Sequence, residues 1–171
     1  MASTLTVDTI VGATTAGNVK LPAGAVLQKI VTQSNTNQAI NSTSYVGVTS
    51  LTVSITPKFA NSRLLVTVYV PAAYLAATAR HLYWSVYRDV AGGGYTNIGL
   101  GGVKGMGLFS GNTGGGNQWV GLSGLVEDTG RGNNTSVHNY RLYIKNNSAG
   151  QIEYIAEGNS TNSIIVEEIS V

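Results

Sequence analysis

Residues 45–70 have the sequence YVGVTSLTVSITPKFANSRLLVTVYV, which contains two runs of alternating apolar and polar side chains. Such alternation places one set of side chains on each face of a pleated strand. The apolar set expected to line a core is Leu51, Val53, Ile55, Leu64, Val66, Val68 and Val70. Pro57 and the pair Asn61 and Ser62 supply turn residues between the runs. We therefore predict an antiparallel hairpin with one apolar face against a core.

The second strand of this predicted hairpin also carries apolar side chains on its other face. Leu65 and Tyr69 alternate with the core set. Because large apolar side chains are mostly removed from water in folded proteins, we expect a second sheet or another subunit to cover that face.

Further alternating segments extend along the chain. The predicted strands are residues 25–33, 81–89, 95–98, 118–127, 137–145, 151–156 and 163–171. Pro71 is expected to end the strand that begins at Leu64, and residues 72–80 to form a loop or one helical turn. Because the last connections are short, the last four strands are expected to be antiparallel neighbours. Many short strands without helical periodicity predict an all-β fold, an antiparallel, jelly-roll-like β-sandwich.

The first residues differ from the rest of the chain. Residues 1–24 contain Leu5, Val7 and Ile10 in a short extended pattern, followed by small polar residues. This segment is too short to bury its own apolar side chains, so we predict an N-terminal attachment arm; a disordered tail is the alternative. Residues 25–171 are then one sandwich domain, as the length of 171 residues also indicates.

Composition excludes several functional classes. Charged residues make up 11% of the chain, against about 25% in ordinary soluble domains. The net charge of +2 comes from scattered basic residues, which argues against nucleic-acid binding. No apolar run is long enough to insert in a membrane, and the start lacks the features of a cleaved signal peptide. Cysteine is absent, so no disulfide or thiolate metal site is expected.

Motifs for phosphate or metal binding are not matched. Residues 99–105, GLGGVKG, fit neither G-x-x-x-x-G-K-[ST] nor G-x-G-x-x-G. His81 and His138 stand singly in predicted strands, where a histidine is far more often structural than a metal ligand. We therefore predict no metal ligand and no cofactor-binding residue.

The carboxylates are not arranged for acid–base catalysis. Glu127 is adjacent to Asp128, and Glu167 to Glu168. Neighbours in a strand point to opposite faces, so neither pair forms a catalytic dyad. We predict no catalytic residue, and hence that the protein is not an enzyme.

Glycine is concentrated in one part of the chain. Sixteen of the 22 glycines fall within residues 92–132. Long loops on a rigid sandwich commonly carry binding function. The alternatives are a tolerated surface loop, or a glycine-rich strand that packs closely against a neighbouring subunit's backbone.

One group of side chains is a candidate for ligand binding. Its members are Arg80, His81, Tyr83, Tyr87, Tyr95 and Trp119. Aromatic rings beside polar donors can stack on the faces of sugars. The alternative is aromatic pairing across strands, within the sheet or at a seam between subunits, which is an ordinary means of stabilising a sheet.

Several segments resemble one family of proteins. They are residues 5–10 (LTVDTI), 18–24 (NVKLPAG), 26–28 (VLQ), 45–48 (YVGV), 51–57 (LTVSITP), 61–66 (NSRLLV) and 163–169 (SIIVEEI). Together they are similar to a group of marine and cyanobacterial phage structural proteins. The resemblance implies a virion component, either a tail-fibre module or a small fibre or knob on the head, often built as a jelly-roll trimer. The resemblance implies no catalytic residue. This chain differs from a complete tail fibre because it has no fibrous shaft.

The expected function follows from this resemblance. It implies a non-enzymatic structural protein that decorates the surface of a bacteriophage particle. A receptor-binding tail-fibre tip that recognises a host surface glycan is the alternative. The expected partners are other copies of the chain in a homotrimer, other virion proteins of the capsid or tail and, for the alternative, that glycan. The expected location is the virion surface, after synthesis in the host cytoplasm.

Overall fold

The chain folds into two antiparallel β-sheets packed face to face. The computed structural model describes residues 22–75, 81–99, 105–110, 118–147, 153–155 and 160–171. Its strands are β1 (Val26–Ser34), β2 (Gln38–Ile40), β3 (Val46–Ile55), β4 (Arg63–Leu75), β5 (His81–Val90), β6 (Thr96–Asn97), β7 (Gly107–Ser110), β8 (Gln118–Glu127), β9 (His138–Asn146), β10 (Glu153–Ile155) and β11 (Asn162–Ile169). The predicted fold class, an antiparallel, jelly-roll-like β-sandwich, is confirmed. Among the described residues, no helix is long and apolar enough to cross a membrane.

The first sheet is built around the long strand β4. Strand β8 pairs along one edge of β4, and β11 and β10 pair one after the other along the opposite edge. Strand β1 then pairs with β11, and β2 with β10. The second sheet has the order β3–β9–β5, and both β6 and β7 pair with the far edge of β5.

The core lies between the sheets and contains the predicted apolar set. Leu51, Val53 and Ile55 on β3 are each at most 1% exposed. The four predicted residues of β4, Leu64, Val66, Val68 and Val70, are each 0% exposed. Strand β5 contributes Leu82, Trp84 and Val86 from the second sheet. The alternation in sequence therefore identifies the buried face of each strand correctly.

The predicted hairpin is wrong. Strand β3 pairs with β9 in the second sheet, whereas β4 belongs to the first sheet. The connection that contains Pro57 crosses from one sheet to the other. Glu168 of β11 holds this connection, since its carboxylate accepts hydrogen bonds from the backbone amides of Lys58 at 2.8 Å and Phe59 at 3.1 Å. Alternation specifies which face is buried but not which strand lies alongside.

Two expectations about later strands are also wrong. Strand β4 continues through Pro71 to Leu75, with a register shift between Val70 and Ala73. A bulge of this kind accommodates a proline, which has no N–H to donate to the ladder. The last four strands are not neighbours either. Within the described residues, β8, β10 and β11 all pair with β4, and β9 lies in the other sheet.

The predicted arm is largely outside the described residues. Leu5, Val7 and Ile10 all belong to that part of the chain. Residues 22–24 are described and are bound to the end of β11, because the Gly24 amide donates to the carbonyl of Ser170 at 3.0 Å. The role of residues 1–24 in attachment stays a prediction.

Candidate functional site

Five tyrosines cluster on the solvent-facing side of the second sheet. Strand β5 supplies Tyr83 and Tyr87, and β9 supplies Tyr143. Tyr45 immediately precedes β3, and Tyr95 immediately precedes β6. All five side chains are half-buried. We call this surface the tyrosine face.

Four of the five rings of the tyrosine face contact one another. Tyr87 and Tyr143 stack with their centroids 4.0 Å apart and an interplanar angle of 22°. Tyr45 is tilted against Tyr87 at 5.7 Å, and Tyr95 against Tyr143 at 5.6 Å. Aromatic pairs at these separations stabilise each other, so the rings form one continuous surface.

Two cations lie over these rings. The Lys145 ammonium is 4.7 Å from the centre of the Tyr45 ring and 5.2 Å from that of Tyr83. The Arg141 guanidinium is 4.5 Å from the centre of the Tyr95 ring. Its Nε also donates to the Thr52 hydroxyl at 2.7 Å. Both positions are typical of cation–π contacts.

The tyrosine face has little negative charge to balance these cations. Asp89 is the only acidic residue in the sequences of the five strands of this sheet. Its carboxylate already accepts hydrogen bonds from the Gly94 amide at 2.7 Å and the Asn139 side chain at 3.1 Å. The Asn139 hydrogen bond is the main reason that the pKa of Asp89 is lowered. The face is therefore positively charged and rich in hydrogen-bond donors.

Burial raises the pKa of two phenol groups in the tyrosine face. Burial, followed by the nearby Tyr87 and Tyr83, raises the pKa of Tyr45 to about 12. Burial and the neighbouring Tyr143 likewise raise the pKa of Tyr87. Both hydroxyls consequently keep their proton under physiological conditions.

Two glycines make room for the cluster. A Cβ atom at Gly47 would lie 2.8 Å from Arg141 Cδ and 3.1 Å from Tyr143 Cζ. Gly105 has a φ of +64°, and a Cβ there would be 2.5 Å from the Tyr45 hydroxyl. Any larger residue at either position would displace the side chains that rest on it.

The structure brings together only part of the predicted site. Tyr83, Tyr87 and Tyr95 share the tyrosine face, and the His81 ring lies beside Tyr83 at 6.2 Å. Trp119 lies apart from them, on β8 in the opposite sheet. Arg80 is outside the described residues. Ligand binding by these residues stays a prediction.

Four members of the face are absent from the predicted set: Tyr45, Tyr143, Arg141 and Lys145. In β9, the buried residues Tyr140, Leu142 and Ile144 alternate with Arg141, Tyr143 and Lys145. This period of two is a signal in the sequence that places them on one outer face. Tyr45 has no such signal, because only the pairing of β3 with β9 brings it to β5.

The outer side of the first sheet is a second candidate surface. It exposes Val31 by 46%, Tyr69 by 53%, Trp119 by 53% and Leu125 by 59%. We call these four residues the apolar face. Trp119 packs edge-on against Tyr74 at 5.2 Å. The second sheet packs on the other side of the first sheet, so it does not cover Leu65 and Tyr69. Cover by another subunit, the alternative expectation, stays a prediction.

The apolar face extends over adjoining strands of the first sheet. Val31 is paired with Ile165, Ile165 with Thr67, and Thr67 with Leu125. One row of side chains therefore crosses β1, β11, β4 and β8, and it consists of Val31, Ile165, Thr67 and Leu125. Tyr69 lies two residues along β4 from Thr67, on the same face. No part of the described chain covers this row's exposed ends.

Asp128 and Arg131 are buried at one end of the sandwich, where they stabilise the fold. Asp128 accepts hydrogen bonds from Arg88 at 2.6 Å and from the Tyr140 hydroxyl at 2.7 Å. Arg131 donates to the backbone carbonyls of Ala60 and Ser62. These groups are bound to one another rather than directed toward a ligand. Among the described residues, no cluster of three His, Cys, Asp or Glu side chains could hold a metal ion.

Comparisons with known proteins give weak similarities. No family model and no curated protein matches the sequence. A chain in the structure of infectious bursal disease virus, Gx strain, aligns with a TM-score of 0.45 and 10% identity, over 99% of this chain and 36% of that one. The CBM22-1 xylan-binding domain from Paenibacillus barcinonensis Xyn10C aligns with a TM-score of 0.37 and 13% identity, over 89% of this chain and 99% of that one.

These values limit what the similarities can support. This chain spans about a third of the virus chain's length, as the coverage of 36% shows. Because both TM-scores are below 0.5, neither similarity carries an argument about this protein. The fold class rests on the observed strand pairing.

Proposed function

We propose that this chain is a non-enzymatic structural protein of a bacteriophage particle, a surface decoration that forms a head knob or a short fibre. The observation that carries the proposal is the apolar face, a sheet surface that is exposed in the single chain. The resemblance of several segments to phage structural proteins supplies the kind of particle.

The apolar face supports assembly rather than a solitary domain. Single exposed apolar side chains are normal on protein surfaces, but a contiguous patch marks an interaction site. Here Tyr69, Trp119 and Leu125 are each more than half exposed on adjoining strands. Aromatic side chains of this kind are enriched at protein–protein interfaces. The partner is another copy of the chain, and the number of copies, three, comes from the resemblance alone.

The role on the particle has a direct test. Purified phage particles are labelled with an antibody against the sandwich and imaged, and the copies of this chain per particle are measured by quantitative mass spectrometry. A head decoration labels the capsid and is present in numbers that scale with the major capsid protein. A tail-fibre tip labels the tail and appears in far fewer copies. Particles that carry none of the chain would contradict the proposal.

A second function is proposed for the opposite side of the molecule. The tyrosine face combines aromatic rings with hydrogen-bond donors, as in surfaces that stack on sugars. We infer that it binds a host surface glycan, which would make the decoration a receptor-binding element as well. The stacked Tyr87 and Tyr143 rings, only 4.0 Å apart, also support the alternative that the cluster stabilises the sheet.

A further inference from the structure

Three hydroxyls of the tyrosine face have no hydrogen-bond acceptor among the described residues. Within the described part of the chain, the hydroxyls of Tyr83, Tyr87 and Tyr143 make no hydrogen bond. No carboxylate in that part lies within ion-pair distance of Lys145. The carboxylate of Asp89 is already bound by Gly94 and Asn139. An incoming ligand therefore meets donors without a free acidic acceptor.

The unpaired ammonium is next to an apolar strip. Lys145 on β9 is paired in register with Tyr83 on β5, and Tyr83 with Leu108 on β7. Leu108 is 41% exposed. Three neighbouring strands span about 10 Å. The row thus places a cation at one end and an apolar surface at the other, over a width that one or two sugar rings can fill.

We propose that the row formed by Lys145, Tyr83 and Leu108 binds an acidic glycan, with the sugar's anionic group at Lys145 and its ring over Tyr83 and Leu108. This inference rests on the second of the two functions proposed above and specifies its ligand. It adds Lys145 and Leu108, neither of which belongs to the predicted site.

The choice of an acidic sugar follows from hydrogen-bond chemistry. A neutral sugar presents hydroxyls, which donate as well as accept, and phenol hydroxyls alone can meet both needs. A carboxylate or sulfate only accepts, and its charge is matched by an ammonium beside phenol hydroxyls. Opposite a neutral sugar, the positive charge of Lys145 would have no anionic group to bind.

A nucleic acid is the less suitable anion. Binding of a nucleic-acid backbone requires several cations along a groove. The outer face of this sheet has Arg141 and Lys145, and Arg141 is already held by Thr52 and packed over Tyr95. Within the described ranges, the one cation left available on this outer face fits a single anionic group on a sugar.

The test uses the full chain and two matched pairs of polymers. Polygalacturonate is compared with its methyl ester, which differs only in the loss of the carboxylate charge, and dextran sulfate with dextran. Calorimetry or biolayer interferometry should detect binding to at least one charged polymer and none to its neutral counterpart. The two pairs distinguish a carboxylate from a sulfate as the recognised group.

Variants locate the binding. Lys145→Met removes the charge but keeps an apolar stem, and should reduce affinity for the charged polymer at least tenfold. Tyr83→Phe keeps the ring and removes one donor, and should reduce affinity less. The matched control is Lys29→Met on the first sheet, where Lys29 is paired with Glu167 at 3.0 Å. This control should bind as the wild type does. Equal melting temperatures show that each variant is folded.

The outcomes separate the inference from the function on which it rests. Binding of neutral and charged forms with equal affinity would overturn the acidic ligand but keep a glycan-binding face. Binding to no polymer would overturn both. An equal loss in Lys145→Met and Lys29→Met would mean non-specific attraction to polyanions and would overturn the site. Tighter binding to a 20-nucleotide oligo-dT than to either charged polymer would show that the ligand is a nucleic acid, and would overturn the inference of a glycan.

Discussion

At the residue scale, Trp84 is the side chain that connects the two sheets most directly. It lies on β5 and is 5% exposed. A Cβ atom at Gly124 of β8, in the other sheet, would lie 2.5 Å from the tip of its indole ring. Gly107 on the adjacent β7 likewise leaves no room beside the indole nitrogen. The concentration of glycine in this part of the chain is thus explained in part by close packing within one subunit.

This packing predicts a difference between two glycines of the same strand. Gly124→Ala should destabilise the protein by about 1–3 kcal/mol, because an extra methyl in a well-packed core forces its neighbours to move. Gly121→Ala is the matched control, since its Cβ would meet nothing closer than a backbone oxygen at 3.7 Å. Thermal or urea unfolding of both variants measures the effect. A Gly124→Ala protein as stable as Gly121→Ala would show that Trp84 is not tightly held.

At the element scale, the connection between β3 and β4 depends on Glu168. Its carboxylate accepts hydrogen bonds from the Lys58 and Phe59 amides, the Ser62 hydroxyl at 2.5 Å and Gln28 at 2.6 Å. Burial alone would raise the pKa of Glu168, but these hydrogen bonds outweigh it, and the pKa is lowered. A connection that crosses between sheets is thereby fixed by an acidic residue more than 100 positions away.

The lowered pKa predicts a dependence of stability on pH. Because the pKa of Glu168 is lower in the folded state than in the unfolded state, its contribution is fully present above about pH 4.5, the ordinary value. The contribution is lost as the pH falls through the folded-state pKa. At pH 7, Glu168→Gln should cost about 2 kcal/mol, the scale of hydrogen bonds to a charged group.

Denaturant unfolding across pH 2–7 checks this expectation. The difference between wild type and Glu168→Gln should shrink at acid pH, since the wild-type carboxyl then becomes neutral as well. Glu167→Gln is the control, because Glu167 lies on the outer face and is paired only with the exposed Lys29. A constant difference between wild type and Glu168→Gln over the whole pH range would contradict the role of the charge.

The strands also show which features of the fold the sequence patterns predict. Alternation over residues 51–55 and 64–70 predicts the strands and their buried faces, because burial acts on each strand separately. It does not predict the pairing of β3 with β9, which depends on contacts between distant segments. Part of the tyrosine face cannot be predicted for the same reason: Tyr45 comes beside Tyr87 only through that pairing, whereas Tyr83 and Tyr87 share one strand.

At the scale of the whole molecule, the two candidate surfaces point in opposite directions. Each sheet buries one side in the common core, so its other side faces outward. Assembly through the apolar face would therefore leave the tyrosine face accessible. A decoration that binds its own copies on one side and a glycan on the other needs no rearrangement between the two.

The predicted arm gives a test at this scale. Deleting residues 1–21 leaves in place the hydrogen bond between Gly24 and Ser170. Since the described strands begin only at Val26, the shortened protein should keep its melting temperature and its oligomeric state. It should no longer incorporate into phage particles, as measured by quantitative mass spectrometry of particles assembled with it. Normal occupancy of the particles would mean that attachment lies in the sandwich.

The molar mass of the purified protein tests assembly through the apolar face most directly. Light scattering after gel filtration at micromolar concentration should give three times the single-chain mass of 17.8 kDa for the wild type. Leu125→Arg places a charge on the apolar face, at the β8 end of the row that begins at Val31, and should give the single-chain mass. Leu108→Arg, on the opposite sheet and 41% exposed, is the control and should remain a trimer. A monomeric wild type, or a Leu125→Arg protein that stays trimeric, would contradict the account.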